Sequence, residues 1–483
     1  MPMTEFAATA LAPRRVDNDT RPASVRPHPA SFRDPSGYIF TRDGNVYRQI
    51  NPGARADYER LVSSGLYEAL VKTGDLVSHE EVDASLSPDG RAFRVIRPDR
   101  VGFISYPYEW CFSQLKDAAR LTLRLQKTAM AHRMALKDAT PYNVAFSNGR
   151  PVWIDTLSFE ELKPEPWVAY AQFCQMFLAP LALMSKVDIR LQQLLKSSID
   201  GVPLDLASRL LPATTRLRPG LLMHLHLHAA AQRRLATTNG STLANRSSKP
   251  FSQSALTGLI DNLARTVDRL EWAGAQTTWG NYYEATNYTD AAFAHKRRVV
   301  ESALERLRPA TVWDLGANDG TFSRIASTRG IPTIAFDIDP VAVERNYRQA
   351  VKDGDRTILP LLLDLTNPSG KYGWANEERD ALADRGPADL ALVLALVHHL
   401  AIGHNVPLER IADYFGRLAR ALVIEFVPKA DSQVQRLLAS RVDIFENYTQ
   451  EGFERAFSTV FNIEQAVPVQ DSVRTIYTMR RRS

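Results

Sequence analysis

The sequence predicts an α/β protein whose second half is a domain with a parallel-dominated sheet and whose first half is an α+β domain. Two observations carry the prediction for the second half. A strand, a glycine turn and a helix start follow one another at residues 311–325. Four more apolar runs with polar residues near their ends come next, and helical spacing fills the gaps between them. Alternating strands and helices form parallel sheets that bind ligands at the carboxyl ends of the strands.

The glycine turn is the most informative stretch of the chain. It reads TVWDLGANDGTFSRI, in which an apolar run ends at Asp314 and the chain turns at Gly316. Glycine lets the backbone approach a ligand closely, and the helix that follows directs its free N–H groups at that ligand. The stretch lacks the third glycine of a dinucleotide-binding fingerprint. An acid at the strand end suits an ammonium group instead, such as that of the amino-acid half of S-adenosylmethionine (SAM).

Acids and histidines end the other four predicted strands. These strands are residues 332–339, 359–365, 388–400 and 421–426. Asp337 follows the glycine turn by about 20 residues, the spacing expected of a ribose-binding acid. The remaining polar ends are Asp364 on the third strand, His398 and His399 on the fourth, and Glu425 on the fifth. Their shared position at one edge of the sheet predicts a ligand-binding crevice there.

From about residue 279 to the C-terminus, the chain resembles the class I SAM-dependent methyltransferases, which have a Rossmann-like fold. The resemblance is carried by DLGANDG (314–320), AFDID (335–339), LLLDL (361–365) and ALVHHL (395–400). It implies that Asp314 and Gly316 border the methionine moiety of SAM. It also implies that Asp337 binds the ribose hydroxyls and Asp364 the adenine amine. The other predicted cofactor-binding residues are Asn318, Asp319 and Gly320, and Asn318 stands where the family usually has glycine.

Methyl transfer from a sulfonium is an in-line displacement, so the enzyme positions the acceptor and, where required, removes its proton. His398 and His399 are candidate bases because an imidazole titrates near neutral pH, and we favour His399. Glu425 orients that histidine, binds the acceptor or is a structural acid. Tyr283 and Lys296 are further candidates for contact with SAM or the acceptor. The absence of a D/N-P-P-Y motif after the fourth strand counts against methylation of an exocyclic amine in DNA or on glutamine.

The sequence of the first half predicts a small sheet followed by helices. Residues 38–50 alternate apolar and polar residues around Asp43-Gly44, which is typical of a β-hairpin. Helical spacing covers residues 58–71, and alternation over residues 93–106 predicts two more short strands. A long amphipathic helix is predicted at residues 112–134.

After this helix, Asp138 is followed five positions later by Asn143, and a hairpin then leads to Asp155. The pattern resembles the catalytic loop and metal-binding strand of protein kinases and small-molecule phosphotransferases. The resemblance implies that Asp138 orients an attacking hydroxyl, while Asn143 and Asp155 hold Mg²⁺ against the phosphates of ATP. Three features depart from the family: the glycine-rich loop is absent, Leu136 replaces a histidine, and Arg48 is nearest to the usual strand lysine. These departures leave the catalytic competence of the domain open.

The predicted organisation is a disordered arm (1–35), a kinase-like α+β domain (36–232), a linker (233–250) and a methyltransferase domain (251–483). Both the arm and the linker have the composition of unstructured segments. The net charge is only +5, so nucleic-acid binding is not expected. Two cysteines, no signal segment and no uninterrupted apolar run of about 20 residues predict a cytoplasmic protein without a transmembrane segment. No metal site is predicted in the methyltransferase domain, and the histidine-rich stretch MHLHLH favours a helix.

In the runs YPYEW, LKDATPYNVAF, VHHLAIGHNVPLERI and IEFVPKADSQV, the whole chain resembles a group of bacterial methyltransferase-like proteins that includes a rhizobial nodulation protein. The hypothesis is a SAM-dependent methyltransferase acting on a small molecule or glycan, with a regulatory or substrate-binding kinase-like domain. Some lipopolysaccharide chain-terminating enzymes join a kinase to a methyltransferase. They suggest an alternative, a bifunctional enzyme that uses SAM and ATP with Mg²⁺ on a glycan or lipid-linked sugar. A non-catalytic module that binds SAM or a nucleotide is the third hypothesis.

Overall fold

The structure is a computed structural model and describes residues 27–237, 251–272, 274, 289–439 and 441–482. Most of the predicted arm, most of the predicted linker and the aromatic stretch that contains Tyr283 lie outside the described residues. Within the described ranges, no helix combines the length and apolar content needed to cross a membrane.

The first unit opens with a four-stranded antiparallel sheet of order β1-β2-β4-β3. The strands are β1 (Gly37–Arg42), β2 (Asn45–Ile50), β3 (His79–Val82) and β4 (Arg94–Pro98), and helices α1 (Arg55–Ser63) and α2 (Leu66–Thr73) connect β2 to β3. The predicted hairpin is confirmed, with φ values of 50° at Asp43 and 75° at Gly44 in its turn. The prediction of two strands within residues 93–106 is wrong. Only β4 lies there, and it ends at Pro98, which has no N–H to continue the ladder.

The ordered fold begins earlier than the predicted arm allows. Pro27 bridges to Phe40, and a 3₁₀ turn follows at Pro29–Ser31. Asp34 then forms an ion pair with Arg48 on β2, at 2.5 Å. Residues 27–35 therefore belong to the first unit, and the predicted end of the arm at residue 35 is corrected accordingly.

The predicted long helix is confirmed as α3 (Phe112–Ala131), and two short antiparallel ladders follow it. In these ladders β5 (Met134–Leu136) pairs with β8 (Phe159–Glu161), and β6 (Val144–Ser147) pairs with β7 (Arg150–Trp153). The helices that complete the unit are α4 (Tyr170–Phe173), α5 (Ala179–Lys186), α6 (Leu194–Ser197), α7 (Leu204–Leu210), α8 (Pro219–Leu221) and α9 (His228–Thr237). The MHLHLH stretch is helical, and both ring nitrogens of His224 and of His226 are hydrogen-bonded within the protein.

Helix α10 (Gln253–Asp268) begins the predicted methyltransferase domain but packs on α3 of the first unit. Lys127 of α3 forms an ion pair with Asp261 at 2.9 Å. Lys116 Nζ donates to the carbonyl oxygens of Asp268 and Leu270, at 2.9 and 2.6 Å. By its contacts, this helix belongs with the first unit.

The second unit is a seven-stranded mixed sheet of order β11-β10-β9-β12-β13-β15-β14. Strands β9 (Val312–Leu315), β10 (Thr333–Asp337), β11 (Ile358–Leu362), β12 (Ala388–Val393) and β13 (Ala419–Phe426) are parallel, and β14 (Phe461–Pro468) and β15 (Thr475–Arg481) add an antiparallel edge. The helices are α11 (Asp290–Leu307), α12 (Ser323–Ser327), α13 (Pro340–Asp353), α14 (Leu408–Leu418), α15 (Ser432–Leu438) and α16 (Gln450–Phe457). The predicted parallel-dominated sheet is therefore confirmed.

The strand order reverses at β9, which has β10 on one side and β12 on the other. Such a switch point opens a crevice at the carboxyl ends of the strands, where doubly wound sheets bind their ligands. The fourth strand is shorter than predicted, because β12 ends at Val393. His398 and His399 consequently lie on the helical turn that follows the strand.

The two units share one continuous apolar core that contains residues of both. Ion pairs and hydrogen bonds add to this contact. Arg385 of the second unit donates to both carboxylate oxygens of Glu109, at 2.8 and 2.5 Å, and both side chains are almost fully buried. Ser113 donates through its N–H and its hydroxyl to Glu344 of α13, at 2.9 and 2.5 Å. The first unit is thus fixed against the second next to β10 and β11.

Candidate functional site

In the glycine turn after β9, every second residue from Gly316 to Gly320 has a left-handed backbone conformation. Gly316, Asn318 and Gly320 have φ values of 83°, 50° and 82°. At Gly320, an added Cβ would lie 2.5 Å from the side chain of Asn346, so packing requires glycine there. At Gly316, the nearest neighbour of such a Cβ is Leu396 at 3.5 Å, so this glycine is required by its backbone conformation.

Asn318 replaces the glycine usual in methyltransferases without breaking the turn. Asparagine tolerates the left-handed region better than most residues. Its backbone N–H donates to Asp337 Oδ2 at 2.7 Å, and its side-chain oxygen accepts from the N–H of Asp319 at 2.9 Å. Asp319 in turn accepts from the N–H and hydroxyl of Thr321. The turn therefore keeps the shape that the motif predicts.

Two buried carboxylates flank this turn. Asp314 at the end of β9 is 2% exposed and accepts from Ser323 Oγ at 2.7 Å. Asp337 at the end of β10 is 8% exposed and also accepts from the N–H of Asp339 at 2.8 Å. Burial raises the pKa of Asp314 to about 7 and that of Asp337 to about 6. A neighbouring carboxylate adds to each increase: Asp337 raises the pKa of Asp314, and Asp339 raises that of Asp337. The pair therefore favours a ligand that brings positive charge.

These pKa values predict a pH-dependent affinity for a cationic ligand. Such a ligand binds the ionised form of Asp314 and Asp337, so lowering the pH from 8 to 6 is expected to weaken SAM binding by about 20-fold. Calorimetric titration across this range measures the change, and Asp314→Asn should remove most of it. An affinity that stays constant between pH 6 and 8 contradicts a role for these acids in binding.

Without a ligand, the same acids should make stability depend on pH. Their folded-state pKa values lie above the ordinary value of 3.8. Between about pH 4 and 7 the folded protein therefore binds more protons than the unfolded chain. The contribution of both groups to the free energy of unfolding accordingly falls as the pH rises through that window.

Asp364 lies two residues beyond β11, beside a cavity of about 250 Å³. Its Oδ1 accepts from the N–H and hydroxyl of Thr366, at 2.8 and 2.6 Å. Its Oδ2 accepts no hydrogen bond from the described residues. Ile338, which follows Asp337, lines the same cavity and is 54% exposed. The cavity thus combines an available carboxylate oxygen with an exposed apolar surface.

The two histidines lie in contact, with ring centroids 4.1 Å apart. His398 is 1% exposed, and neither of its ring nitrogens has a partner among the described residues. Burial holds its pKa well below the ordinary value of 6.5. His399 is only partly buried, and burial lowers its pKa to about 4, with a further contribution from His404. Both imidazoles are therefore neutral at pH 7, and the pKa of each lies below the near-neutral value expected from the sequence.

Glu425 is the centre of a buried ion-pair network. Lys296 Nζ on α11 donates to Glu425 Oε2 at 2.7 Å, and the N–H of Ala395 donates to the same oxygen at 2.8 Å. Arg474 lies 3.7 Å from Oε1 and forms a closer pair with Asp431, at 2.7 Å. Glu425 and Lys296 are thus partners of each other in the folded chain. The sequence analysis did not find Arg474 and Asp431, because no local pattern links residues so far apart in the chain.

In the first unit, the three predicted kinase-like residues do come together. Asn143 Nδ2 donates to Asp138 Oδ2 and to Ser158 Oγ, both at 3.2 Å, and Ser158 Oγ donates to Asp155 Oδ2 at 2.6 Å. Burial and the charge of Asp155 raise the pKa of Asp138. Arg48 lies 2.9 Å from Asp155 Oδ1. Arg48 also pairs with Asp34, so two acids share its guanidinium.

The position of Arg48 bears on metal binding. Its guanidinium neutralises Asp155, which the kinase resemblance assigns to Mg²⁺. In the described part of the chain, no group of three or more His, Cys, Asp or Glu side chains is arranged to hold a metal ion. Arg48 therefore already pairs with one oxygen of the acid that would bind the metal.

No family model matches the chain. The chain is 34% identical to the nodulation protein NoeA of Rhizobium meliloti (strain 1021) over 472 residues, which cover 96% of this chain and 98% of NoeA. Among solved structures, 42% of the chain matches the bifunctional kinase-methyltransferase WbdD, with 14% identity, a TM-score of 0.29 and 42% of that chain covered. The magnesium protoporphyrin IX methyltransferase ChlM from Synechocystis PCC 6803 matches 42% of the chain, with 14% identity, a TM-score of 0.29 and 90% coverage. The N-methyltransferase NodS from Bradyrhizobium japonicum WM9 matches 40% of the chain, with 12% identity, a TM-score of 0.29 and 98% coverage.

Proposed function

The chain belongs to the family of the nodulation protein NoeA, and we propose that it is a SAM-dependent methyltransferase with its cofactor across the carboxyl edge of the second sheet. In this proposal Asp314 and the turn at Gly316 border the methionine moiety. Asp337 binds the ribose, and Asp364 binds the adenine amine. The acceptor is a small molecule or a glycan.

The observation that carries the proposal is the charge around the glycine turn. A dinucleotide would bring its negatively charged pyrophosphate to this turn. Asp314 and Asp337 are both buried beside it, and their negative charges would repel the pyrophosphate. SAM carries no phosphate, and its sulfonium and ammonium groups are both positive. The electrostatics of the turn thus support SAM over a phosphate-containing dinucleotide.

We place the base of the reaction at His399. Its ring is partly exposed, whereas His398, which contacts it, is 1% exposed. A neutral imidazole is the form that accepts a proton, and both rings are in this form at pH 7. Glu425 remains outside the proton transfer in this proposal, because Lys296 and the N–H of Ala395 already use its carboxylate.

Calorimetric titration of the full chain tests the proposed cofactor. We expect SAM and S-adenosylhomocysteine to bind with micromolar dissociation constants, and NAD to give no heat of binding. Since the ligand must neutralise the buried acids, S-adenosylhomocysteine, which lacks the sulfonium charge, should bind with a weaker pH dependence than SAM. Tighter binding of NAD than of SAM contradicts the proposal.

Phosphotransfer by the first unit is the second candidate function, favoured by the assembly of Asp138, Asn143 and Asp155. The Arg48–Asp155 ion pair opposes it, because Mg²⁺ would have to displace the guanidinium. We therefore expect no heat on titration of ATP with Mg²⁺ into the wild-type protein. Binding of ATP together with phosphoryl transfer to a glycan would instead support the bifunctional enzyme.

A further inference from the structure

Three elements of the first unit meet at the buried side chain of His226. This residue lies on the π-helical turn Leu222–Leu227, which leads into α9. Its Nδ1 is hydrogen-bonded to the hydroxyl of Ser208 on α7, at 2.8 Å. Its Nε2 is hydrogen-bonded to the hydroxyl of Thr215 on the 3₁₀ turn Ala213–Leu217, at 2.9 Å. We call the assembly of α7 and these two turns the outer cluster.

Each element of the outer cluster exposes large apolar side chains. The 3₁₀ turn ends at Leu217, which is 84% exposed. The other four are between 38% and 56% exposed and form two pairs spaced four residues apart, Leu206 and Leu210 on α7 and Met223 and Leu227 on the π-helical turn. Single exposed apolar residues are ordinary on a protein surface, whereas a concentration of them marks a site of interaction. The outer cluster is therefore a candidate contact surface.

The same part of the chain is rich in arginine. Between residues 203 and 237 the sequence has five arginines, no lysine and one acid, Asp205. Arg209 pairs with this acid across one helical turn, at 3.7 Å. Arg216 and Arg218 are exposed, flank Leu217 in the sequence and form no ion pair with any described residue. Positive charge without a paired acid thus lies on both sides of the most exposed leucine.

Exposed apolar side chains between arginines fit the surface of an anionic lipid bilayer. There the apolar side chains enter the boundary between headgroups and acyl chains, while the guanidinium groups stay at the level of the phosphates. A nucleic acid would pair with the arginines but would leave the leucines in water. An anionic bilayer accommodates both kinds of side chain at once.

We propose that the outer cluster docks on an anionic lipid bilayer, with Leu217 inserted between the headgroups and with Arg216 and Arg218 on the lipid phosphates. The two pairs of apolar residues on α7 and the π-helical turn lie at the headgroup boundary beside Leu217. The contact is peripheral and reversible, because it uses a few side chains and a small number of charges. This inference is independent of the proposed methyl transfer and gives the first unit a binding partner of its own.

Co-sedimentation of the full chain with lipid vesicles tests the inference in the absence of SAM. Vesicles of phosphatidylcholine with about 30% phosphatidylglycerol should carry down most of the protein at low salt, and vesicles of phosphatidylcholine alone should carry down little. Raising the salt concentration from about 0.1 M to about 0.5 M should weaken binding at least about fivefold, because screening shortens the reach of the arginine charges.

Two variants test which side chains make the contact. Leu217→Asn should weaken binding to the anionic vesicles about tenfold, because an amide does not enter the acyl boundary favourably. Arg216→Gln combined with Arg218→Gln should weaken it about 20-fold, since each arginine near an anionic surface contributes about a factor of five. All three positions are exposed, so both variants should keep the wild-type melting temperature.

Matched controls come from the second unit. Val442 is 81% exposed, so Val442→Asn repeats the change from an apolar residue to an amide at a distant surface. Arg436 and Arg455 are exposed arginines, so Arg436→Gln combined with Arg455→Gln repeats the loss of two charges. Both controls should bind the anionic vesicles within about twofold of wild type.

Loss of binding in both test variants, with binding kept in both controls, supports the inference. Absence of co-sedimentation with the anionic vesicles overturns it, and so does binding that neither test variant weakens. A loss in the arginine variant without a loss in Leu217→Asn also overturns it, because the arginines then attract a polyanion without insertion of the leucine. Equal losses in the controls overturn it as well, because the contact then belongs to no particular surface.

Discussion

Replacing Asp337 with alanine is expected to weaken SAM binding by about 100-fold. Two ribose hydroxyls would lose a charged acceptor, and hydrogen bonds to charged groups contribute about 1.5–3 kcal/mol each. The same change also leaves the N–H groups of Asn318 and Asp339 without their acceptor, so the turn itself loosens. Calorimetric titration of SAM gives the loss in affinity, and circular dichroism shows whether the variant remains folded.

Asp337→Asn separates these two effects. The amide keeps an oxygen that can accept from the backbone but loses the charge, so we expect a loss of about tenfold with a native melting temperature. Asp353→Asn is the matched control, because Asp353 is an exposed acid at the end of the helix that follows β10. Affinity in Asp337→Asn and Asp337→Ala equal to that of the control would remove the ribose assignment.

Replacing Lys296 with methionine is expected to lower the free energy of unfolding by about 3–5 kcal/mol. Lys296 and Glu425 are 3% and 0% exposed, and the change leaves a carboxylate buried without its closest counter-ion. Removing one partner of a buried pair costs more than removing both, because the remaining charge stays desolvated. Denaturant unfolding, followed by a spectroscopic signal of the second unit, measures the change.

The control and the double variant test the cause. Arg297 is the next residue on α11 and forms an exposed pair with Glu301 at 3.8 Å, so Arg297→Ala should cost less than about 1 kcal/mol. Adding Glu425→Gln to Lys296→Met should restore part of the lost stability. If the double variant is less stable than Lys296→Met alone, Glu425 is stabilised chiefly by groups other than this lysine, such as Arg474 and the N–H of Ala395.

The acids at the sheet edge could be predicted from the sequence because each depends on local pattern. Asp314 and Asp337 each follow an apolar run, and Gly316 and Gly320 indicate the turn. Strands β9 and β10 are fully buried and read as continuous apolar runs, which placed the ends of these two strands to within a few residues. The sequence analysis placed the histidines on the strand although they lie on the helical turn, because apolar residues continue from Val393 through Val397 without a break in hydrophobicity.

Features that depend on long-range contacts could not be predicted in this way. Lys296 and Glu425 are 129 residues apart and meet only in the folded chain. The antiparallel edge strands β14 and β15 were missed, because the exposed β14 alternates poorly and has a register shift between Ile463 and Gln465. Helix α10 packs on α3 through buried residues such as Ile260 and Leu263, which share one core with residues far from them in the sequence.

A crystal structure of the full chain with S-adenosylhomocysteine tests the central claim most directly. The account predicts density for the amino-acid moiety at the turn of Gly316 and for the ribose hydroxyls within hydrogen-bond distance of Asp337. It also predicts the adenine amine within hydrogen-bond distance of Asp364. Density for the nucleoside at any other place, with the carboxyl edge of β9 and β10 empty, would contradict it.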